Sequence, residues 1–235
     1  MLKRKKIFYY FCAENQNDEW DMMKNEAPLI GISRHRLATD GVGVTTLVTF
    51  HGCPLRCRYC LNPQCLRPSG LWKTITPEDL LGEVRIDDLY FQATGGGITF
   101  GGGEPLLRSA FIRKFCELAP REWNITLETS LHVPRKHLEE VLPFVGEYFI
   151  DVKDMNPDTY RRYTSRSNRQ TIQNLQWLAD KGLQERVVIR LPRIPDYNTG
   201  WDVRRSRKAL EAMGYTRFDC FTYIKDVEDH KRRIR

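Results

Sequence analysis

The chain has 235 residues, of which 41% are hydrophobic and 11% aromatic. This length fits one sizeable domain, and this share of apolar residues can build a core, which excludes a disordered chain. No apolar run approaches the roughly 18 residues of a membrane span. The formal charge of +7 and the pI of about 9.1 would suit a nucleic acid or an acidic protein as partner. The excess is diffuse except at the two ends, which favours solvated termini.

We expect residues 1–27 to form an extension in front of a single domain over residues 28–235. Met1–Lys6 is basic and Ile7–Ala13 is apolar, which faintly resembles a signal peptide. The apolar run is short, however, and it continues into Glu14–Asp18 without a small-residue cleavage site. We therefore predict a cytoplasmic protein whose first residues form an extra strand or a loose arm.

Six short runs rich in β-branched and aromatic residues follow one another along the chain. Several are continuously apolar, as is typical of strands buried on both faces. The predicted strands are Thr45–Phe50, Gly97–Phe100, Ile125–Glu128, Tyr148–Val152, Arg186–Leu191 and Phe218–Tyr223.

Helical patterns lie between these runs. Thr76 is a plausible N-cap before Pro77, and apolar residues recur at helical spacing in Leu106–Ala119, Thr171–Lys181 and Trp201–Met213. Six β–α alternations predict a parallel sheet with right-handed crossovers. Because eight would close a barrel, we predict an α/β fold, a partial (β/α)6 TIM-type barrel with an open lateral cleft.

Four of the seven cysteines lie within residues 53–65. A secreted disulfide scaffold would spread an even number of cysteines through a shorter chain, so clustering indicates a metal. Cys53, Cys57 and Cys60 have the spacing C-x3-C-x2-C in one loop after the first predicted strand. Three thiolates bind three irons of a 4Fe–4S cluster and leave the fourth open to chelate the amino and carboxylate groups of S-adenosylmethionine (SAM).

Other interpretations of the cysteines stay open. C-x2–4-C is also zinc spacing, although no second Cys or His pair follows downstream. Cys65 as a fourth ligand would close the open iron, but its four-residue gap favours an ordinary loop or core cysteine. Cys12, Cys116 and Cys220 lie in apolar sequence and are predicted to be buried small hydrophobes.

Two glycine runs, Gly95–Gly97 and Gly101–Gly103, bracket a short strand, and Glu104 follows the second. Glycine lets the backbone approach a ligand closely. A phosphate loop is weakly supported because no Lys-Ser/Thr follows. Beside a cysteine loop, the second run suits the α-amino group of SAM, with Glu104 offering charge or fixing the loop.

Polar side chains also follow the later predicted strands. In α/β barrels the chemistry gathers at the carboxyl ends of the strands, so we expect these side chains to share one rim with the cysteines and glycines. They are Glu128, Thr129, Asp151, Lys153 and Arg190.

Taken together, these motifs resemble those of the glycyl-radical-enzyme activating enzymes of the radical SAM superfamily. The resemblance runs from about Gly31 to Thr199, in order and at the family's spacing. It is carried by Asp40–Gly43, His51–Cys60, Asn62–Pro63, Gly101–Leu106, Asp151–Lys153 and Arg190–Pro192.

The resemblance implies roles for particular residues. Cys53, Cys57 and Cys60 would hold one 4Fe–4S cluster, the catalytic centre, with Tyr59 near the adenine of SAM. The methionyl amino end would be held by Gly102, Gly103 and Glu104, and the pocket lined by Asp151, Lys153 and Arg190. Glu128 and Thr129 stand where the family has Asp-Thr, a pair implied to help bind a monovalent cation.

The resemblance also implies the chemistry. A reduced cluster passes one electron to the sulfonium, and a 5′-deoxyadenosyl radical then takes a hydrogen atom from a glycine Cα of a partner glycyl-radical enzyme. Flavodoxin or ferredoxin is the expected reductant. No second cysteine-rich stretch lies between Cys60 and Gly102, which predicts a single cluster.

Several positions depart from the family pattern. Val42 replaces the usual Pro, Thr45 replaces an Arg, and Leu131 stands where a Gly closes the third-strand motif. Tyr223 and Ile224 end the last predicted strand, where many members have a His, and the sequence stops at Arg235. These departures keep open a radical SAM enzyme that acts on a peptide or small molecule. An RNA-modifying protein and a structural Fe–S or zinc protein are weaker alternatives.

Overall fold

A computed structural model describes residues 26–37 and 40–223. The predicted extension therefore lies almost wholly outside the described residues, and the division at residue 28 stays a prediction. Within the described ranges no helix is long and apolar enough to cross a membrane.

One eight-stranded sheet forms the centre of the molecule, in the order β3-β1-β2-β4-β5-β6-β7-β8. From β2 to β8 along the sheet all six strands are parallel, whereas β1 pairs antiparallel with β2 and β3. Because β3 and β8 are edges and do not pair, the barrel stays open. The strands are β1 Ala27–Leu37, β2 Val44–Phe50, β3 Lys73–Ile75, β4 Gly97–Gly102, β5 Asn124–Thr129, β6 Glu147–Asp151, β7 Val187–Arg193 and β8 Phe218–Thr222.

The six predicted strands are the six parallel ones, with ends shifted by at most two residues. The predicted partial (β/α)6 barrel is confirmed. Pattern analysis missed β1 and β3, which are joined to the parallel strands by antiparallel pairing.

Seven α-helices are described, and local capping explains where several of them begin. The Thr76 hydroxyl accepts a hydrogen bond from the Asp79 N–H at 3.1 Å, as predicted for an N-cap. Thr199 and Asp202 form a reciprocal capping box at the start of the last helix. The helices are α1 Pro77–Val84, α2 Asp88–Thr94, α3 Ser109–Leu118, α4 Arg135–Val141, α5 Pro157–Thr164, α6 Arg169–Asp180 and α7 Gly200–Glu211.

Successive side chains of a strand point to opposite faces, and this alternation separates the core from the cavity. In β6, Tyr148 and Ile150 are buried against the helices, while Phe149 and Asp151 line a cavity on the inner face. In β7, Ile189 belongs to the core and Arg190 lines the cavity. The helices therefore cover an apolar outer face, whereas the inner face carries polar side chains such as Asp151 and Arg190 beside apolar ones such as Phe149.

The predictions for the isolated cysteines have mixed outcomes. Cys116 is partly buried against the core, in agreement with its sequence context. Cys220 is exposed, so that prediction was wrong. It lies on β8, which is the edge strand and is flanked by a strand on one side only. Cys12 lies outside the described residues.

A buried carboxylate joins the sheet to the segment between α1 and α2. Asp87 is fully buried, and its oxygens accept hydrogen bonds from Arg34 Nε at 2.8 and 3.0 Å and from the Thr46 hydroxyl at 2.8 Å. Burial by itself would raise the pKa of Asp87, but the Arg34 and Thr46 donors lower it below the usual value.

We expect Asp87→Asn to destabilise the protein by about 2 kcal/mol at neutral pH, because charge-assisted hydrogen bonds are lost. A lowered pKa in the folded state contributes stability above the unfolded-state pKa, and this is lost as pH falls through the folded-state pKa. The difference from wild type should therefore be full at neutral pH and smaller at an acidic pH below the ordinary Asp pKa of about 3.9. Urea unfolding at both pH values tests this, with exposed Glu122→Gln as the control. A difference that does not change with pH would contradict it.

Candidate active site

The cysteine loop follows β2 at the carboxyl edge of the parallel strands. Cys53, Cys57 and Cys60 are partly exposed, and all three line a cavity of about 800 Å³. Backbone hydrogen bonds fasten the loop to α5, from Arg56 N–H to the Thr164 carbonyl at 2.9 Å and from Arg58 N–H to the Tyr163 carbonyl at 3.1 Å. The loop therefore has a defined position although it contains no regular secondary structure.

Cys65 is a fourth thiol at this cavity. It is buried, and its carbonyl accepts a hydrogen bond from Gly52 N–H at 2.9 Å, which brings residue 65 back beside the start of the loop. Spacing alone favoured an ordinary loop or core cysteine. A 3₁₀ turn over Pro63–Leu66 directs the thiol toward the cavity. Asn62 and Pro63, at the start of this turn, are the sequence signal that could have predicted it.

The environment of each thiol sets its protonation. Burial raises the pKa of Cys53 to about 12 and that of Cys57 to about 11. The neighbouring Cys65 thiol lowers the pKa of Cys60 to about 6, while the pKa of Cys65 itself is raised. Cys60 is therefore the thiol that ionises most readily, and binding of a metal group by Cys53 and Cys57 has to release their protons.

The donor set fits iron. Thiolates are the ligands of iron–sulfur clusters, and these thiols share one cavity whose volume lies in the range of cofactor sites. No three His, Cys, Asp or Glu side chains in residues 26–37 and 40–223 are placed to hold a single metal ion.

The second glycine run lies directly beside the cysteine loop. Gly103 N–H donates to the Phe50 carbonyl at 2.9 Å, and Glu104 N–H donates to the Gly52 carbonyl at 2.8 Å. A Cβ on Gly103 would lie 2.1 Å from the Gly52 carbonyl oxygen, so only glycine permits this approach. Gly102 and Gly103 both line the cavity, as predicted for a close backbone approach to a ligand.

The side chain of Glu104 does not line the cavity. It is buried, and its carboxylate accepts hydrogen bonds from the hydroxyls of Thr129 and Ser130, both at 2.6 Å, and from two backbone N–H groups. Burial raises the pKa of Glu104 in spite of these donors. Of the two roles predicted for Glu104, this geometry supports fixing the loop, because the carboxylate ties the glycine run to the end of β5.

The far wall of the cavity carries charges of both signs. Arg190 donates to Glu128 at 2.7 Å, and Lys153 donates to Asp151 at 2.8 Å. Burial by itself would lower the pKa of Lys153, but Asp151 and Cys57 outweigh it and raise that pKa. Burial also raises the pKa of Glu128, although Arg190 opposes it. Lys153 and Arg190 therefore stay cationic at neutral pH.

Tyr59 lies in an aromatic group rather than in the large cavity. Its ring centroid is 6.1 Å from Tyr163, 5.6 Å from Tyr197 and 6.4 Å from Tyr223, and its hydroxyl donates to Asp196 at 2.7 Å. Tyr59 lines a smaller adjoining cavity of about 380 Å³, which shares Cys57, Cys60, Leu61 and Tyr223 with the large one. Its predicted place near an adenine stays a prediction.

Sequence reasoning missed Tyr223 as a site residue. It lines both cavities, and its hydroxyl hydrogen-bonds the Tyr59 carbonyl across 164 residues of sequence. The other predicted residues of the rim, Glu128, Thr129, Asp151, Lys153 and Arg190, all line the large cavity together with the cysteines. The structure therefore brings together the features predicted to share one rim.

A three-thiol loop, a glycine edge and a wall of paired charges at the mouth of a partial barrel define the class of protein. Residues 47–203 match the radical SAM superfamily, and the chain belongs to it. The family implies a 4Fe–4S cluster and S-adenosylmethionine as cofactors.

Among curated proteins, the chain is similar to two activating enzymes. It is 29% identical over 220 residues to the (2S)-3-sulfopropanediol dehydratase activating enzyme of Klebsiella oxytoca, covering 68% of this chain and 69% of that protein. It is 31% identical over 170 residues to the pyruvate formate-lyase-activating enzyme of Staphylococcus aureus USA300, covering 69% and 67%.

Among solved structures, the chain is similar in fold to SuiB of Streptococcus suis. The TM-score is 0.57 at 12% sequence identity, over 75% of this chain and 39% of SuiB. The chain thus spans about two fifths of SuiB, and at this identity the likeness concerns the fold alone.

Proposed function

We propose that this chain is a glycyl-radical-enzyme activating enzyme, which takes a hydrogen atom from a glycine Cα of a partner enzyme. The observation that carries this proposal is the similarity to two activating enzymes, each match covering about two thirds of this chain. The cavity also suits a segment of another protein, because it lies in a barrel left open between β3 and β8.

The residues of the site have separable tasks in this proposal. Cys53, Cys57 and Cys60 would hold the cluster, and Gly102 and Gly103 would let the cofactor's methionyl end approach the main chain. When bound and reduced by one electron, the cluster and SAM would supply the hydrogen-abstracting group: the C5′–S bond of SAM would break to give methionine and a 5′-deoxyadenosyl radical, which would become 5′-deoxyadenosine on taking the glycine hydrogen.

The charged wall would orient SAM, which carries an ammonium, a carboxylate and a sulfonium. A ligand with charges of both signs needs counter-charges of both signs, and the Asp151–Lys153 and Glu128–Arg190 pairs offer them at the cavity surface. Leu55 and Phe149 add apolar surface that excludes water from the reacting atoms.

A monovalent cation site at Glu128 and Thr129 is a separate part of the proposal, implied by the resemblance to the family. In this structure Glu128 is paired with Arg190, and the Thr129 hydroxyl donates to Glu104. A cation could still be held here without replacing these contacts, because the second Glu128 oxygen and a lone pair of the Thr129 hydroxyl oxygen can coordinate it. The affinity for SAM can be measured in K⁺ or Na⁺ and again after these ions are replaced by a large organic cation. Tighter binding in K⁺ or Na⁺ would support the cation site, and equal affinity under both conditions would contradict it.

The experiment uses anaerobically reconstituted protein with dithionite and SAM, with and without a candidate glycyl-radical enzyme encoded beside its gene. We expect 5′-deoxyadenosine by chromatography and, only with the partner present, a glycyl radical by electron paramagnetic resonance. The partner with its radical-site glycine changed to alanine is the matched control. Formation of 5′-deoxyadenosine without a radical on any partner would favour the alternative, a radical SAM enzyme acting on a peptide or small molecule.

A further inference from the structure

One cation of the large cavity comes from a different part of the sheet than the others. Arg36 lines this cavity from β1, whereas Arg190 lies on β7 and Lys153 directly follows β6. We propose that Arg36 is a substrate-binding residue, which donates hydrogen bonds to main-chain carbonyl oxygens of the glycine-bearing segment as it enters the cavity. This inference rests on the proposed function, because it assigns a residue to the protein substrate.

The pairing of β1 with β2 directs Arg36 into the cavity. Arg36 is the register partner of Thr45 in this antiparallel pair, and such partners point to the same face of a sheet. Thr45 precedes Leu47 by two residues, so it shares the inner face with Leu47, which lines the cavity. Thr45 is short, and the arginine of the family pattern is absent at this position, so Arg36 is the cation of this cross-strand pair.

Arg36 also lies beside the opening of the barrel. Strand β3 pairs only with Ala27–Leu29, so among the described residues no strand covers the outer side of β1 near Arg36. The opposite border of the opening is β8, whose Asp219 and Phe221 line the same cavity. A chain segment that enters through the opening therefore passes between Arg36 and these two residues of β8.

The guanidinium group of Arg36 is held in place and still has N–H groups to donate. Its Nε and Nη2 donate to the Asp40 carboxylate, and the Asp40 carbonyl accepts a hydrogen bond from the Thr99 hydroxyl, which fastens this loop to β4. Nη1 forms no hydrogen bond with any residue that the structure describes, and the Arg36 side chain is 40% exposed. An anchored guanidinium with remaining donors is preorganised for an acceptor.

The chemistry of a glycine-bearing segment fits such a donor. Glycine has no side chain, so the chain around it offers its own carbonyl oxygens, and a charged donor forms the stronger hydrogen bond to them. The hydrogen bond to Asp40 and, further down, the charge of Glu128 raise the pKa of Arg36, which therefore stays cationic. SAM has its counter-charges in the pairs on β5 to β7, which leaves Arg36 for the substrate.

The test compares Arg36→Ala and Arg36→Lys with wild type. Arg121→Ala is the matched control, because it removes an exposed arginine that does not line the cavity. The first probe is a fluorescein-labelled peptide that spans the radical-site glycine of the candidate partner enzyme, and its binding to reconstituted protein with SAM is followed by fluorescence anisotropy. The second measurement is the rate of glycyl-radical formation at increasing concentrations of the whole partner, which separates KM from kcat.

We expect Arg36→Ala to raise the Kd of the peptide and the KM for the partner about tenfold or more, because hydrogen bonds from a charged group are lost. Arg36→Lys keeps the charge but not the planar fork of donors, so it should give a smaller increase in both. The affinity for SAM and the formation of 5′-deoxyadenosine without partner should match wild type in both variants. Arg121→Ala should match wild type in every measurement.

Wild-type values of Kd and KM in Arg36→Ala would overturn the inference. An equal loss of SAM affinity would also overturn it, because Arg36 would then serve the cofactor. If Arg36→Ala does not fold, Arg36→Lys decides, and wild-type values in that variant would contradict the inference. If wild type forms 5′-deoxyadenosine but no glycyl radical on any partner, the proposed function fails and this inference with it. A radical formed equally well by wild type and Arg36→Ala would remove the inference alone.

Discussion

Replacing Cys57 with alanine removes the cluster and lowers 5′-deoxyadenosine formation by at least about a hundredfold. Changes to partners outside the ligand set of a metal already cost about ten- to a hundredfold, and Cys57 is proposed as a direct ligand. Its thiol lines both cavities and lies near Lys153, whose charge opposes the effect of burial on the Cys57 pKa. Iron and sulfide content, the visible spectrum and product chromatography measure the loss.

Two alanine variants provide matched controls for this prediction. Cys116→Ala alters a partly buried thiol on α3, away from the cavity, and should keep the cluster. Cys65→Ala removes the fourth thiol of the cavity, and under three-cysteine ligation it should keep both the cluster and SAM binding. If Cys57→Ala retained a full cluster that was lost in Cys57→Ala/Cys65→Ala, Cys65 would be a ligand and the open-iron assignment would be wrong.

Replacing Gly103 with alanine destabilises the protein by about 2 kcal/mol or more, because overpacking a close contact typically costs about 1–3 kcal/mol. The new Cβ would lie 2.1 Å from the Gly52 carbonyl oxygen and 3.0 Å from that of Phe50, and backbone has little freedom to move aside. Gly52 precedes Cys53, so the displacement reaches the cysteine loop. We therefore also expect reduced iron incorporation.

Gly82→Ala is the control for this change. Gly82 lies in α1, and a Cβ there meets no atom within 4 Å, so alanine should stabilise the helix by about 0.5–1 kcal/mol. Urea unfolding of the metal-free proteins measures both effects without the cofactor. An unchanged unfolding midpoint in Gly103→Ala would show that the two strand ends do not approach as closely as described.

Most of the sheet could be predicted because its parallel strands have a strong local signal. Runs such as residues 45–50 and 186–191 are apolar enough to be recognised without any knowledge of their neighbours. Strand β1 was missed because Pro28, Gly31 and the polar Arg34–Arg36 interrupt its pattern. Strand β3 has only three residues, and such a short strand exists through its pairing with β1 rather than through its own composition.

The roles of individual site residues depended more on tertiary contacts. Glu104 follows the second glycine run, next to the cysteine loop. From the sequence it could either offer charge to SAM or fix the loop. Its carboxylate accepts hydrogen bonds from Thr129 and Ser130 at the end of β5 and from the Leu106 N–H two residues further along the chain. Only the fold shows that these four donors occupy both carboxylate oxygens. Cys220 was predicted to be buried from its apolar neighbours, but exposure depends on the position of β8 at the edge of the sheet.

The sequence by itself was enough to predict the chemistry proposed for the cysteine loop, since Cys53, Cys57 and Cys60 lie within eight residues and their spacing is a local property of the chain. It also determined the order of strands and helices, because periodicity is local as well. Only the tertiary structure decided that Cys65 joins the cavity, that Tyr223 contacts Tyr59, and that Arg36 reaches the large cavity from β1. Such contacts join distant parts of the chain, and they depend on strand register and packing, which no short stretch of sequence encodes.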